Sequence, residues 1–90
     1  MGIARRVRVS GRVQGVFFRA WTKEQADSLA VAGWVCNRTD GSVEAHLEGA
    51  EGAVGVLIDR LHRGPPAAKV DRVKISDAQE ESASGFEVRH

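Results

Sequence analysis

Between Val9 and Arg19 the chain reads Val-Ser-Gly-Arg-Val-Gln-Gly-Val-Phe-Phe-Arg, passing from an alternating segment into a helical one through two glycines. At such a junction the first N–H groups of the helix have no intrahelical acceptor, and the helix dipole favours an anion there. Gly15 can take the positive φ that turns successive N–H groups into one concavity. Arg19 stands where that concavity would close, and its planar guanidinium can grip two phosphoryl oxygens at once, which a lysine cannot. No Cys, Ser, Thr or His lies between Gly11 and Arg19. A reaction at a phosphate held here must therefore use an outside nucleophile, most simply water. The plainer alternative is a connecting loop followed by a solvated arginine, and the residues by themselves leave both open.

A second element is Gly33-Trp34-Val35-Cys36-Asn37-Arg38-Thr39-Asp40-Gly41-Ser42-Val43. Strand alternation points Asn37 to the side of Val35, away from Trp34 and Cys36. An amide beside Asp40-Gly41 can simply form a turn. It can also hold a water, its carbonyl accepting from the water while its NH2 meets a substrate oxygen. His46, His62 and His90 have no Cys, Asp or Glu at metal-ligand spacing, so no metal site is expected and all three are read as surface residues. Trp21 and Trp34 are read as packing residues. Arg5, Arg6 and Arg8 are assigned to a solvated strand face with a minor part in steering anions.

The elements that must carry these residues follow from periodicity. Ile3 to Ser10 alternates about Val7 and Val9 as a half-buried strand. A helix is expected from about Phe18 to Ala32, with Thr22, Ala26, Leu29 and Ala30 inward and Gly33 as its left-handed stop. Trp34 to Arg38 and Ser42 to Glu48 read as strands joined by Thr39-Asp40-Gly41, the second with Glu44, His46 and Glu48 on its polar side. Glu51 to Arg63 repeats Val54, Leu57, Ile58 and Leu61 at helical spacing and ends at Gly64-Pro65-Pro66. Lys69 to Ser76 is a strand, Asp77 to Gly85 a polar acidic loop, and Phe86 and Val88 mark a short last strand. The order β-α-β-β-α-β predicts an α+β, ferredoxin-like split β-α-β fold: an antiparallel sheet with both helices on one face.

Ninety residues with a formal charge of +1 suit one domain, residues 1–90, and give no support for a nucleic-acid or membrane-surface role. The lone Cys36 cannot form an internal disulfide, which fits a reducing compartment. Neither a signal peptide nor an apolar run of membrane-spanning length is evident, so a cytoplasmic protein is expected. An RNA-recognition module shares the element order. It would need exposed aromatics on its third strand, where this chain has Glu44, His46 and Glu48.

VSGRVQGVFFR resembles the first signature of the acylphosphatases, and GWVCNRTDGSVEAHLEG resembles the second, at the family's separation. The likeness covers the order of elements along nearly the whole chain. It implies hydrolysis of acyl phosphates by direct attack of water, with inorganic phosphate as product; no cofactor is expected, and a monomer is expected. Residue by residue it implies that Arg19 binds phosphate catalytically and that Asn37 orients the water. Gln14, Gly15, Val16, Phe17 and Phe18 would lend backbone donors. Cys36 departs from the family, which usually carries a larger polar, basic or methionine side chain there. Similar domains also precede a hydrogenase-maturation carbamoyltransferase, but zinc-finger cysteines are missing here, so the free-standing enzyme is expected.

Overall fold

The structure, a computed structural model, describes residues 2–90. Its elements are β1 (Gly2–Arg12), α1 (Phe18–Ser28), β2 (Ala32–Asn37), β3 (Val43–Ala50), α2 (Glu51–Arg63), β4 (Lys69–Asp77) and β5 (Phe86–Arg89). They form a five-stranded sheet in the order β4-β1-β3-β2-β5. Every neighbouring pair is antiparallel except β2–β5, which runs parallel from Gly33 opposite Phe86 to Cys36 opposite Arg89. The α+β ferredoxin-like arrangement is as expected, with this parallel edge making the sheet mixed.

The alternation of β1 and β3 decides which face meets the helices. Val7, Val9, Val43, Ala45 and Leu47 are buried and share one core with Phe18 and Ala26 of α1 and Val54, Leu57 and Leu61 of α2. Burying a side chain of this size contributes about 1.5–3 kcal/mol, so this face supplies most of the folding drive. α2 begins with Glu51 in its first turn and ends on Gly64, whose φ is 68°, both favourable for the helix ends.

α1 is shorter than its apolar pattern suggests. Its last turn closes with Val31 N–H donating to Ala26 O at 2.9 Å and Ala30 N–H to Asp27 O at 3.3 Å. That pair of bonds is a Schellman cap, with Ala30 at φ 55° as its left-handed residue. The expected stop at Gly33 is therefore corrected to Ala30, and Ala30 is exposed rather than on the inner stripe. Gly33 instead lies inside β2 at φ 137°, where a Cβ would overlap the carbonyl oxygen of His46. It is a glycine because two strands approach closely there, not because a helix ends.

The outer face is not simply solvated, and here three readings are corrected. His46 is fully buried and Glu48 nearly so. His46 Nε2 lies 2.6 Å from Glu48 Oε2, and Arg6 Nε is 3.4 Å from His46 Nδ1. Glu48 also accepts from the N–H groups of Glu81 and Ala83 in the loop after β4, which folds back over the sheet. The Trp34 ring stacks on His46 with centroids 5.9 Å apart, and its Nε1–H donates to Glu81 at 3.0 Å. Arg6 thus sits in a polar cluster instead of open water, and Arg8 is paired with Asp40 and Glu44. Alternation assigned these side chains to the correct face but could not foresee the loop that covers them.

Candidate active site

The segment between β1 and α1 has two left-handed residues. Gly15 has φ 74°, and Phe17, at φ 60° and ψ 25°, is the residue before the first turn of α1. Such a conformation is strained for an aromatic side chain and persists only where the surroundings impose it. No side chain caps α1. Among the described residues, no protein acceptor receives the N–H groups of residues 15–20. A bend of this kind with free donors at a helix start can accommodate a tetrahedral anion.

The segment is fixed at both sides. Phe18 is buried, 2% exposed, with its ring 5.5 Å from that of Trp21, and Thr22 Oγ1 donates back to Phe18 O at 2.8 Å. On the other side Gln14 Nε2 donates to Arg38 O at 2.8 Å and to Ser42 O at 2.9 Å. These are carbonyls of the β2–β3 connection, so one amide joins the β1–α1 loop to the hairpin that carries Asn37. That hairpin is held in turn by Asp40, whose Oδ1 accepts from Ser42 N at 2.9 Å and Ser42 Oγ at 2.6 Å. The same bonds, led by the Ser42 hydroxyl, lower the Asp40 carboxyl below its usual range.

Gly15, Phe17, Phe18 and Arg19 line one cleft of about 340 Å³ together with Asn37. Val13 and Ala20 complete that side, and Val88 of β5 and His90 just after it close the other. Phe17 lines this cleft and is 85% exposed. Gln14 and Val16 are not in its lining: Gln14 turns its side chain to the hairpin, and Val16 packs against the core. Arg19 Nη1 donates to Arg89 O at 2.8 Å and lies 3.1 Å from His90 Nδ1. Val88 and His90 were missed in the sequence because the parallel pairing of β5 with β2, which delivers them here, leaves no local signature.

Chemically the cleft offers a cation with planar geometry, a row of backbone donors and a neutral amide. Among the described residues, the side chains that line it include no carboxylate, thiol or hydroxyl. A different set of groups resembles a metal site: ligand atoms of His46, Glu48 and Glu81 lie within 4.8 Å of one another. Those atoms are committed elsewhere. Arg6 Nη2 already bonds Glu81 Oε2 at 3.2 Å, Trp34 takes its other oxygen, and Glu48 bonds the His46 ring. The cluster carries its own cation.

Comparison with known proteins bears on the family. The acylphosphatase family profile matches residues 5–88. An acylphosphatase of Rhizorhabdus wittichii is 52% identical over 84 residues, spanning 93% of this chain and 85% of that protein. Among solved structures, an acylphosphatase from Coxiella burnetii superposes with a TM-score of 0.94 at 39% identity, covering 98% of this chain and 93% of its own. One from Bacillus subtilis gives 0.94 at 36% identity with both chains covered in full. Matches of this extent, to relatives of similar length, leave one assignment: the chain belongs to the acylphosphatase family.

Proposed function

We propose that the protein hydrolyses the carboxyl–phosphate bond of acyl phosphates, releasing a carboxylate and inorganic phosphate by direct attack of water. Arg19 and the N–H groups from Gly15 to Phe18 hold the phosphoryl oxygens, and Asn37 positions the water. The observation that carries this reading is that the donor-rich loop, Arg19 and Asn37, from separate parts of the sequence, line a single cleft. Gln14 serves by fastening the loop.

The leaving group explains why so few side chains suffice. A carboxylate is a weak base, with an ordinary pKa of about 4, and departs without being protonated. Phosphoryl transfer then asks for positioning and for charge stabilisation at the equatorial oxygens. Arg19 and the loop provide the second and Asn37 the first. An amide takes no proton, so the proton of the attacking water passes to the phosphate.

The wider reading is of a single cytoplasmic domain, acting as a monomer without a metal or a nucleic-acid partner. The near-neutral charge supports the last point, and no helix is long and apolar enough to cross a membrane. The test is hydrolysis of benzoyl phosphate beside a simple alkyl phosphate monoester, with and without exhaustive chelation. Rapid cleavage of the anhydride alone, insensitive to chelator, is expected. Equal turnover of both, or activity that returns only with added Mg²⁺ or Zn²⁺, would overturn the mechanism.

A further inference from the structure

We infer that Phe17 determines specificity for the acyl group, favouring acyl phosphates whose acid is aromatic over those of small acids. The inference rests on the proposed hydrolysis, which sets the phosphoryl group against Arg19 and the loop and leaves the acyl group to be placed.

Among the described residues three large apolar side chains are exposed, and Phe17, at 85%, far exceeds Ile75 at 44% and Val56 at 41%. Phe17 stands outside the apolar core, whereas its neighbours are anchored there, Phe18 as a member and Val16 packed against it. Its backbone is left-handed, with φ 60°. Glycine or asparagine takes that conformation far more readily than an aromatic residue does. Phe17 thus adds nothing to the core and holds a bend for which its own side chain is poorly suited. Neither property helps the chain to fold. Strain of this kind gathers where ligands are held.

The geometry of the reaction says what this side chain can meet. In an in-line displacement the leaving oxygen lies across phosphorus from the attacking water. The acyl group therefore extends away from the water that Asn37 is proposed to hold. The cleft, at about 340 Å³, has room for more than a phosphoryl group and lies at the lower end of the range for small-molecule sites. Of its apolar lining, Val13 and Phe18 are buried in the core. That leaves Phe17, the exposed Ala20 and the half-buried Val88 to meet a ligand. Ala20 and Val88 are small, so the ring of Phe17 is the one large planar apolar surface among the three. An aryl group can pair with such a ring and cover it from water, and a methyl group is too small to do either.

The test pairs benzoyl phosphate with acetyl phosphate in the parent chain, Phe17→Asn and Phe17→Tyr, with thermal melts as the folding control. Asparagine tolerates the left-handed bend and lacks the ring, and tyrosine keeps the ring. The readout is the ratio of kcat/KM for the two substrates, so their different intrinsic reactivity cancels between proteins. Phe17→Asn should lower that ratio about ten-fold, and Phe17→Tyr should hold it within about two-fold. Ten-fold is about 1.4 kcal/mol, the scale of a single aromatic pair. An equal loss on both substrates would make Phe17 a shaper of the loop alone, and that result or an unchanged ratio overturns the inference. Binding is read separately by calorimetry with phenacylphosphonate and acetonylphosphonate, in which CH2 replaces the bridging oxygen of benzoyl and acetyl phosphate. The parent should bind the phenacyl compound about ten-fold more tightly. Equal affinity overturns the inference without recourse to a variant. A parent that shows this preference, loses it in Phe17→Asn and leaves both acyl phosphates intact would overturn the hydrolytic reading and keep the aryl subsite. Rapid hydrolysis of both substrates with a ratio indifferent to Phe17 would do the reverse.

Discussion

The cleft at Arg19 and the cluster at His46 use similar groups, an arginine, an imidazole and backbone amides, but they differ in how completely those groups are paired. In the cluster, His46 has Arg6 on one nitrogen and Glu48 on the other, and Glu48 also accepts two loop N–H groups. No buried side-chain polar atom lacks a partner among the described residues. At the cleft, a helix start without a side-chain cap, an exposed Phe17 and the remaining edge of Arg19 face an open space. A closed network fixes a loop to a sheet. An unfinished one leaves donors for something that arrives later. Titratable composition does not separate structure from function here; the number of spare hydrogen bonds does.

If that contrast is sound, damage to the cleft should remove activity and spare stability, and damage to the cluster should do the reverse. The largest effect is expected for Arg19→Lys. It keeps a charge but loses the planar grip, so kcat/KM should drop by about 1000-fold or more, roughly 4 kcal/mol, with weaker phosphate binding. Steady-state kinetics beside phosphate titration by calorimetry would show it, and a melt unchanged within a few degrees would complete the contrast. Asn37→Ala comes next, at roughly 100-fold in turnover or about 3 kcal/mol, with phosphate affinity nearly intact. Loss of phosphate binding as severe as that of the arginine variant would remove Asn37 from the role of water holder.

Glu48→Gln tests the other region. Burial alone would raise the Glu48 carboxyl, but the Glu81 N–H, the His46 ring and the Ala83 N–H outweigh it and hold it below the usual glutamate range. A carboxyl lowered on folding stabilises the native state above its unfolded pKa of about 4.3 and loses that contribution as pH falls through the folded value. The variant should be about 1–3 kcal/mol less stable near neutrality, and the gap should shrink in acid below about pH 4. Denaturant melts across this range report it, while activity of the folded variant stays close to that of the parent. The smallest effect belongs to Phe17→Gly, which removes a left-handed strain of about 1 kcal/mol together with an exposed ring. Its stability should move by no more than about that amount in either direction. A loss of several kcal/mol would mean that Phe17 packs as a structural residue.

The cleft was far more legible in the sequence than the cluster. The Val9–Arg19 stretch and the Asn37 hairpin are local patterns, and each carries its own glycines and its own chemistry. The fold was legible for the same reason, since two helical stripes and alternating strands declare themselves over a few residues. What was not legible depends on pieces far apart in the chain. The burial of His46 depends on Glu81 and Ala83, and Gly33 is needed because β3 presses against it. His90 reaches Arg19 only through the parallel pairing of β5 with β2. Alternation tells which side of a strand a residue faces, and it is silent about what later covers that side.

The Gln14 amide spans the β1–α1 loop and the β2–β3 hairpin through two carbonyls. In kinetic terms it is a device for effective concentration. The proposed phosphate grip and the proposed water holder sit on separate segments, and any relative motion left between them would have to be frozen anew at each turnover. A crossbar present in the resting fold settles that entropy once, during folding. A displacement of about 1 Å between reacting groups can lower a rate by about 100-fold, so a side chain that touches no substrate can still set the speed of the reaction.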